Sequence, residues 1–173
     1  VTDPLTPRSG SSMCYSPISD SIILFGGDIG NHMLNDTWEW DGLKWNHLKP
    51  ENPPNPRYKH SLTFSPLRES LLLSGGYFDQ SFEIWELKEG NWTLVQETPA
   101  SIPARYHAGT IYDPIRDEVL LFGGIDEDGK KLDEFWSWNG VEWLEVPKTG
   151  IWPIPLSSPG MVFDSTTEQV VLC

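Results

Sequence analysis

Short, unbroken apolar runs punctuate the chain at Ile22-Ile23-Leu24, Leu71-Leu72-Leu73, Val119-Leu120-Leu121 and Val170-Val171-Leu172. Such a run bounded by turn residues predicts a strand buried on both faces. Each is preceded by a shorter alternating stretch that closes on an aromatic: Tyr15, Phe64, Tyr112 and Phe163. Between the two lies Ser16-Pro17-Ile18, Ser65-Pro66-Leu67 or Asp113-Pro114-Ile115. Proline presets φ at the second position of a type I turn, and the Ser or Asp side chain caps the first, so each pair of stretches predicts a hairpin. Beyond the runs stand Gly26-Gly27, Gly75-Gly76 and Gly123-Gly124, where the chain needs positive φ or close backbone approach. A third strand carries Trp38, Trp85 or Trp136. Asp41-Gly42 and Asn139-Gly140 then turn the chain into a fourth, which starts at Trp45, Trp92 or Trp143.

This grammar repeats. The glycine pairs are 49 and 48 residues apart, as are Arg8, Arg57 and Arg105. An aromatic follows each arginine by seven residues, and each first tryptophan precedes the second by seven. Length varies only after the glycines and after the second tryptophan, which marks those stretches as loops on a constant scaffold. Four strands per unit at this period describe a propeller blade, with helix negligible. The units span about 8–50, 57–98 and 105–147, with a partial fourth at 156–173.

The combination of arginine, aromatic, apolar strand, diglycine and paired tryptophans resembles the kelch repeat, of the type found in the central domain of galactose oxidase. The resemblance covers nearly the whole chain. It implies an all-β kelch propeller of three complete blades and the start of a fourth, part of a ring of six or seven. Eleven residues beyond Phe163 the next glycine pair falls at 174, one past Cys173. The expectation is therefore a segment completed by the rest of the same protein or, second in preference, by another copy. The family's ligands sit over the central opening, on loops that enter the first strand and follow the glycine pair. By resemblance, Tyr58, Lys59, Tyr106 and His107 point there, Tyr77, Phe78 and Asp79 edge the same face, and Arg57 and Arg105 serve either binding or the scaffold.

Charge narrows the partners. Twelve basic against 25 acidic residues give a net charge of −13. That opposes phosphate-backbone and anionic-membrane binding, so neither nucleic acid nor membrane is expected as a partner. No run of about 18 apolar residues predicts a spanning helix. Two cysteines, Cys14 and Cys173, make no disulfide framework and lie in different units. The triplets at Asn35 and Asn91 match the glycosylation pattern but occupy repeat positions, and the compartment stays open.

Catalytic signals are missing from the sequence. His32, His47, His60 and His107 share no ligand spacing, so no metal or cofactor is expected. His60 and His107 fall where kelch repeats place a structural histidine. Asp126-Glu127-Asp128-Gly129 lacks the closing glutamate of a calcium loop. No Gly-x-Ser-x-Gly or phosphate-cradling loop occurs. The tyrosine and histidine set that holds copper in galactose oxidase finds no place on these units. Eight of the nine tryptophans fill repeat slots as packing residues, and the ninth, Trp152, is either a binding aromatic or a loop anchor. The expected function is an interaction module for a protein or peptide. The alternatives are part of a carbohydrate oxidase or isomerase whose catalytic residues lie elsewhere, and a carbohydrate-binding module.

Overall fold

A computed structural model describes residues 5–77, 82–96 and 102–173. Among these the secondary structure is entirely β, in four antiparallel sheets that follow chain order. The first contains β1 (Ser12–Ser16), β2 (Ser21–Asp28), β3 (Met33–Trp40) and β4 (Trp45–Leu48). The second contains β5 (Ser61–Ser65), β6 (Ser70–Ser74), β7 (Ile84–Lys88) and β8 (Asn91–Gln96). The third holds β9 (Gly109–Asp113), β10 (Glu118–Phe122), β11 (Phe135–Trp138) and β12 (Trp143–Glu145), and the fourth only β13 (Met161–Asp164) and β14 (Gln169–Leu172).

The turn chemistry is as the sequence predicts. Ser16 and Ser65 hydroxyls accept the amides of Ser19 and Arg68, and the Asp113 carboxylate accepts those of Ile115 and Arg116. Asp41 and Asn139 likewise cap their outer hairpins, with Gly42 and Gly140 at φ of 91° and 92°. The glycine pairs satisfy both reasons for glycine at once. Gly123 has φ +66°, and a Cβ there would sit 2.6 Å from the Leu156 carbonyl oxygen.

The sheets stack face to face. Ile23 and Phe25 of the first meet Leu62, Leu71, Leu73, Leu87 and Trp92 of the second. Leu72, Phe82 and Ile84 of the second meet Val119, Leu121, Trp136, Trp138 and Trp143 of the third. The first strands run side by side in the order β1, β5, β9, β13. Leu71-Leu72-Leu73 and Val119-Leu120-Leu121 are buried throughout, as strands covered on both faces must be.

Burial is uneven along the repeats. In the fourth sheet, where β14 pairs with β13 alone among the described residues, Val171 is 47 % exposed. Among the first tryptophans, Trp38 and Trp136 are buried but Trp85 is half-buried. Trp38 is covered by the ring of His47, its cross-strand partner, stacked at 4.5 Å; the partner of Trp85 is Leu94, beside a bulge. Trp40 and Trp45 are half-buried too, tilted against each other at 5.7 Å.

Candidate functional site

Each arginine that leads into a first strand turns inward. Arg57 Nη1 donates to the Gly75 carbonyl at 3.1 Å, Nη2 to Glu83 Oε2 at 2.7 Å and Nε to the Asn55 carbonyl at 3.1 Å. Arg105 repeats this with Gly123, Glu134 and Pro103, and Arg8 with Gly26, Asp36 and Thr6. One planar fork thus ties together the lead-in loop, the diglycine and a residue in or just before the third strand of its own sheet, a task that needs several donors in fixed geometry. The Arg57 and Arg105 side chains have no solvent exposure. Of the two roles the sequence allowed, the geometry gives them the scaffold one.

That clamp positions the residues just after it. Two residues beyond each arginine slot stand Gly10, Lys59, His107 and, after Leu156, Ser158. All four are left-handed, at φ of 64°, 60°, 59° and 53°. They form a main-chain ladder from sheet to sheet: Lys59 N–H donates to Gly10 O at 2.7 Å, His107 N–H to Lys59 O at 3.3 Å and Ser158 N–H to His107 O at 2.7 Å. The residues after the glycine pairs lie alongside. Tyr77 N–H donates to Tyr58 O, and Ile125 exchanges both main-chain bonds with Tyr106.

The side chains of this rim converge. Tyr77, half exposed, meets Tyr58 and Tyr106 edge to face, each at a ring separation of 5.4 Å. The Lys59 ammonium lies 4.8 Å from the Tyr58 ring and 5.4 Å from that of Tyr106, within cation–π range. His107 tilts against Tyr106, and its Nδ1 is 2.6 Å from Ser158 Oγ. Burial, and then the charge of Lys59, lowers the His107 imidazole below its ordinary range. Burial, with Tyr77 and Asp28 adding, raises the Tyr58 phenol. Below the rim, between the first strands, a cleft of about 360 Å³ is lined by Ser12, Ser61, Lys59, His107, Thr110 and Ser158 among others.

Of the ten residues named from the sequence, Tyr58, Lys59, Tyr77, Tyr106 and His107 come together here. Arg57 and Arg105 lie behind them as supports. Phe78 and Asp79 fall outside the described residues. Trp152 is placed elsewhere: its indole N–H donates to the Asp133 carbonyl at 2.7 Å and its ring meets Phe135 edge-on, which makes it a loop anchor. Ser158 escaped the sequence reading because Leu156 replaces the arginine from which its slot is counted. Among the described residues no group of His, Cys, Asp and Glu could hold a metal ion. Both cysteines are free, and burial pushes the Cys14 thiol up to about 11.

The fold and this rim define an all-β repeat protein with a converging aromatic and basic face. No family model matches the chain. It is similar to the tRNA wybutosine-synthesizing protein 4 of Aspergillus fumigatus, at 31 % identity over 162 residues, or 83 % of this chain. It spans 15 % of the length of that relative.

Proposed function

We propose that the chain is a segment of a kelch-type β-propeller, with blades at about 8–50, 57–98, 105–147 and 156–173, that binds a protein or peptide over the face made by Tyr58, Lys59, Tyr77, Tyr106 and His107. The blade reading is supported by side-by-side first strands, stacked sheets and a recurring arginine clamp. The convergence of three tyrosine rings, two of them against the Lys59 ammonium, carries the binding reading. A buried scaffold would not leave Tyr77 half exposed at the centre of that cluster. Tyrosines offer large, rigid, amphipathic contact area and are enriched among interface anchors.

Selection of peptides from a displayed random library on the protein tests this. Selected peptides should lose at least about tenfold in affinity on Tyr77→Ala, an exposed change that leaves the fold intact. Peptides that bind the variant equally well would place the binding surface elsewhere.

A second reading follows from the relative's name. The chain is then a segment of an enzyme that acts in tRNA modification, serving that enzyme as a platform rather than supplying its chemistry. A net charge of −13 opposes direct contact with the tRNA backbone. Salt-sensitive binding of tRNA that maps to this segment would contradict the platform role.

A further inference from the structure

The rim ladder contains a choice that packing does not require. Left-handed backbone is free for glycine and unfavourable for any residue with a Cβ. The first repeat uses Gly10 in this slot, whereas the next three use Lys59, His107 and Ser158 at the same φ. Those residues line the cleft between the first strands, together with Ser12, Ser61 and Thr110. Thr110 Oγ1 is buried and has no hydrogen-bond partner among the described residues.

The electrostatics of the cleft run against the rest of the molecule. No Asp or Glu lines it, although the chain has 25 of them. Two other clefts among the described residues carry Asp117, or Glu39, Glu69 and Glu89. Among the described residues Lys59 has no carboxylate within ion-pairing distance. The Asp28 carboxylate, whose charge reaches Tyr58, accepts the amide of Gly30 at 2.6 Å. Repulsion from the remaining charge is screened beyond about 8 Å at physiological salt, so the local cation dominates at contact distance.

We infer that this cleft receives the side-chain carboxylate of a Glu or Asp residue on an extended peptide, with Lys59 as its counter-ion and the Ser158 and Thr110 hydroxyls as further donors. Tyr58 and Tyr106 hold the ammonium in place, which lessens the freedom it loses on pairing. This rests on the peptide-binding reading above and specifies what that peptide must carry.

The probe is a fluorescein-labelled hexapeptide of alternating glycine and glutamate, followed by anisotropy with the protein. Lys59→Met should weaken binding about tenfold, the effect of losing one partly desolvated charge pair, and Lys130→Met should not. The same hexapeptide with glutamine should bind the unaltered protein about as weakly as the glutamate peptide binds Lys59→Met. Lys59→Gly, which restores the residue type of the first repeat and relaxes the backbone, should fold and show the same loss. Equal binding of the glutamate and glutamine peptides, or indifference to both Lys59 variants, would overturn the assignment. Free glutarate that binds as tightly as the peptide would assign the cleft to a small acid and overturn the peptide partner. Library peptides that need Tyr77 but ignore Lys59 would leave the face standing and remove only the carboxylate site.

Discussion

The indole N–H of Trp92 donates to Thr37 Oγ1 at 3.0 Å, across the interface between the second and first sheets. Both residues are buried, Trp92 at 3 % exposure and Thr37 at 1 %. Trp138 makes the corresponding reach from the third sheet to Gln96 of the second, at 2.7 Å. Trp92 and Trp138 therefore bolt neighbouring sheets together as well as fill the space between them.

Trp92→Phe keeps most of the ring but removes the donor, leaving a buried hydroxyl unpaired. That should cost about 1–3 kcal/mol, and Trp92→Ala about 3–5 kcal/mol. Denaturant midpoints of the two variants check both the size and the order.

Arg57→Met strips three acceptors of a buried donor set, including the Glu83 carboxylate, and should cost about 3–5 kcal/mol. Arg57→Lys should restore little of this, because a point ammonium cannot span Asn55, Gly75 and Glu83 together. Full stability of the lysine variant in thermal unfolding would contradict the clamp.

His60 packs edge-on against Phe25 at 5.4 Å and is buried at 6 % exposure. Burial, and then the charge of Arg57, pushes its pKa down from 6.5 to about 3. The unfolded chain thus binds a proton that the folded chain refuses. Stability conferred by the neutral ring is complete above pH 6.5 and is lost as pH falls toward about 3. His60→Phe should remove up to one proton's worth of that slope, about 1.4 kcal/mol per pH unit, from the unfolding free energy between those limits. Parallel pH profiles for the two proteins would refute it.

Gly123 and Gly150 separate conformational strain from close approach. Their φ values are +66° and +67°, but nothing lies within 4 Å of a Cβ at Gly150, against the Leu156 oxygen at 2.6 Å for Gly123. Gly150→Ala should cost about 1–2 kcal/mol from the left-handed backbone alone. Gly123→Ala should cost clearly more, since it also displaces the Gly124 amide from Leu156, a bond of 2.9 Å. Equal unfolding free energies for the two variants would show the contact to be soft.

The strands, their turns and their fourfold recurrence were legible in the sequence because each depends on neighbours along the chain. Apolar runs, Ser-Pro and Asp-Gly turns and glycine pairs act over a few residues, so period and residue type suffice to read them. Resemblance to the kelch repeat pointed to the lead-in residues and those after the second glycine pair as the candidate face, with Trp152 named apart from it. The sequence could not decide the role of Arg57 and Arg105, since an arginine before a strand can turn to solvent or inward with equal ease. That was settled by the Glu83 and Glu134 carboxylates and the glycine carbonyls, 18 to 29 residues away, which the folded sheet brings within reach. Nor could it show which slots are shared between repeats. Gly10, Lys59, His107 and Ser158 form one ladder only because the first strands pack side by side, a relation between units that no single repeat encodes.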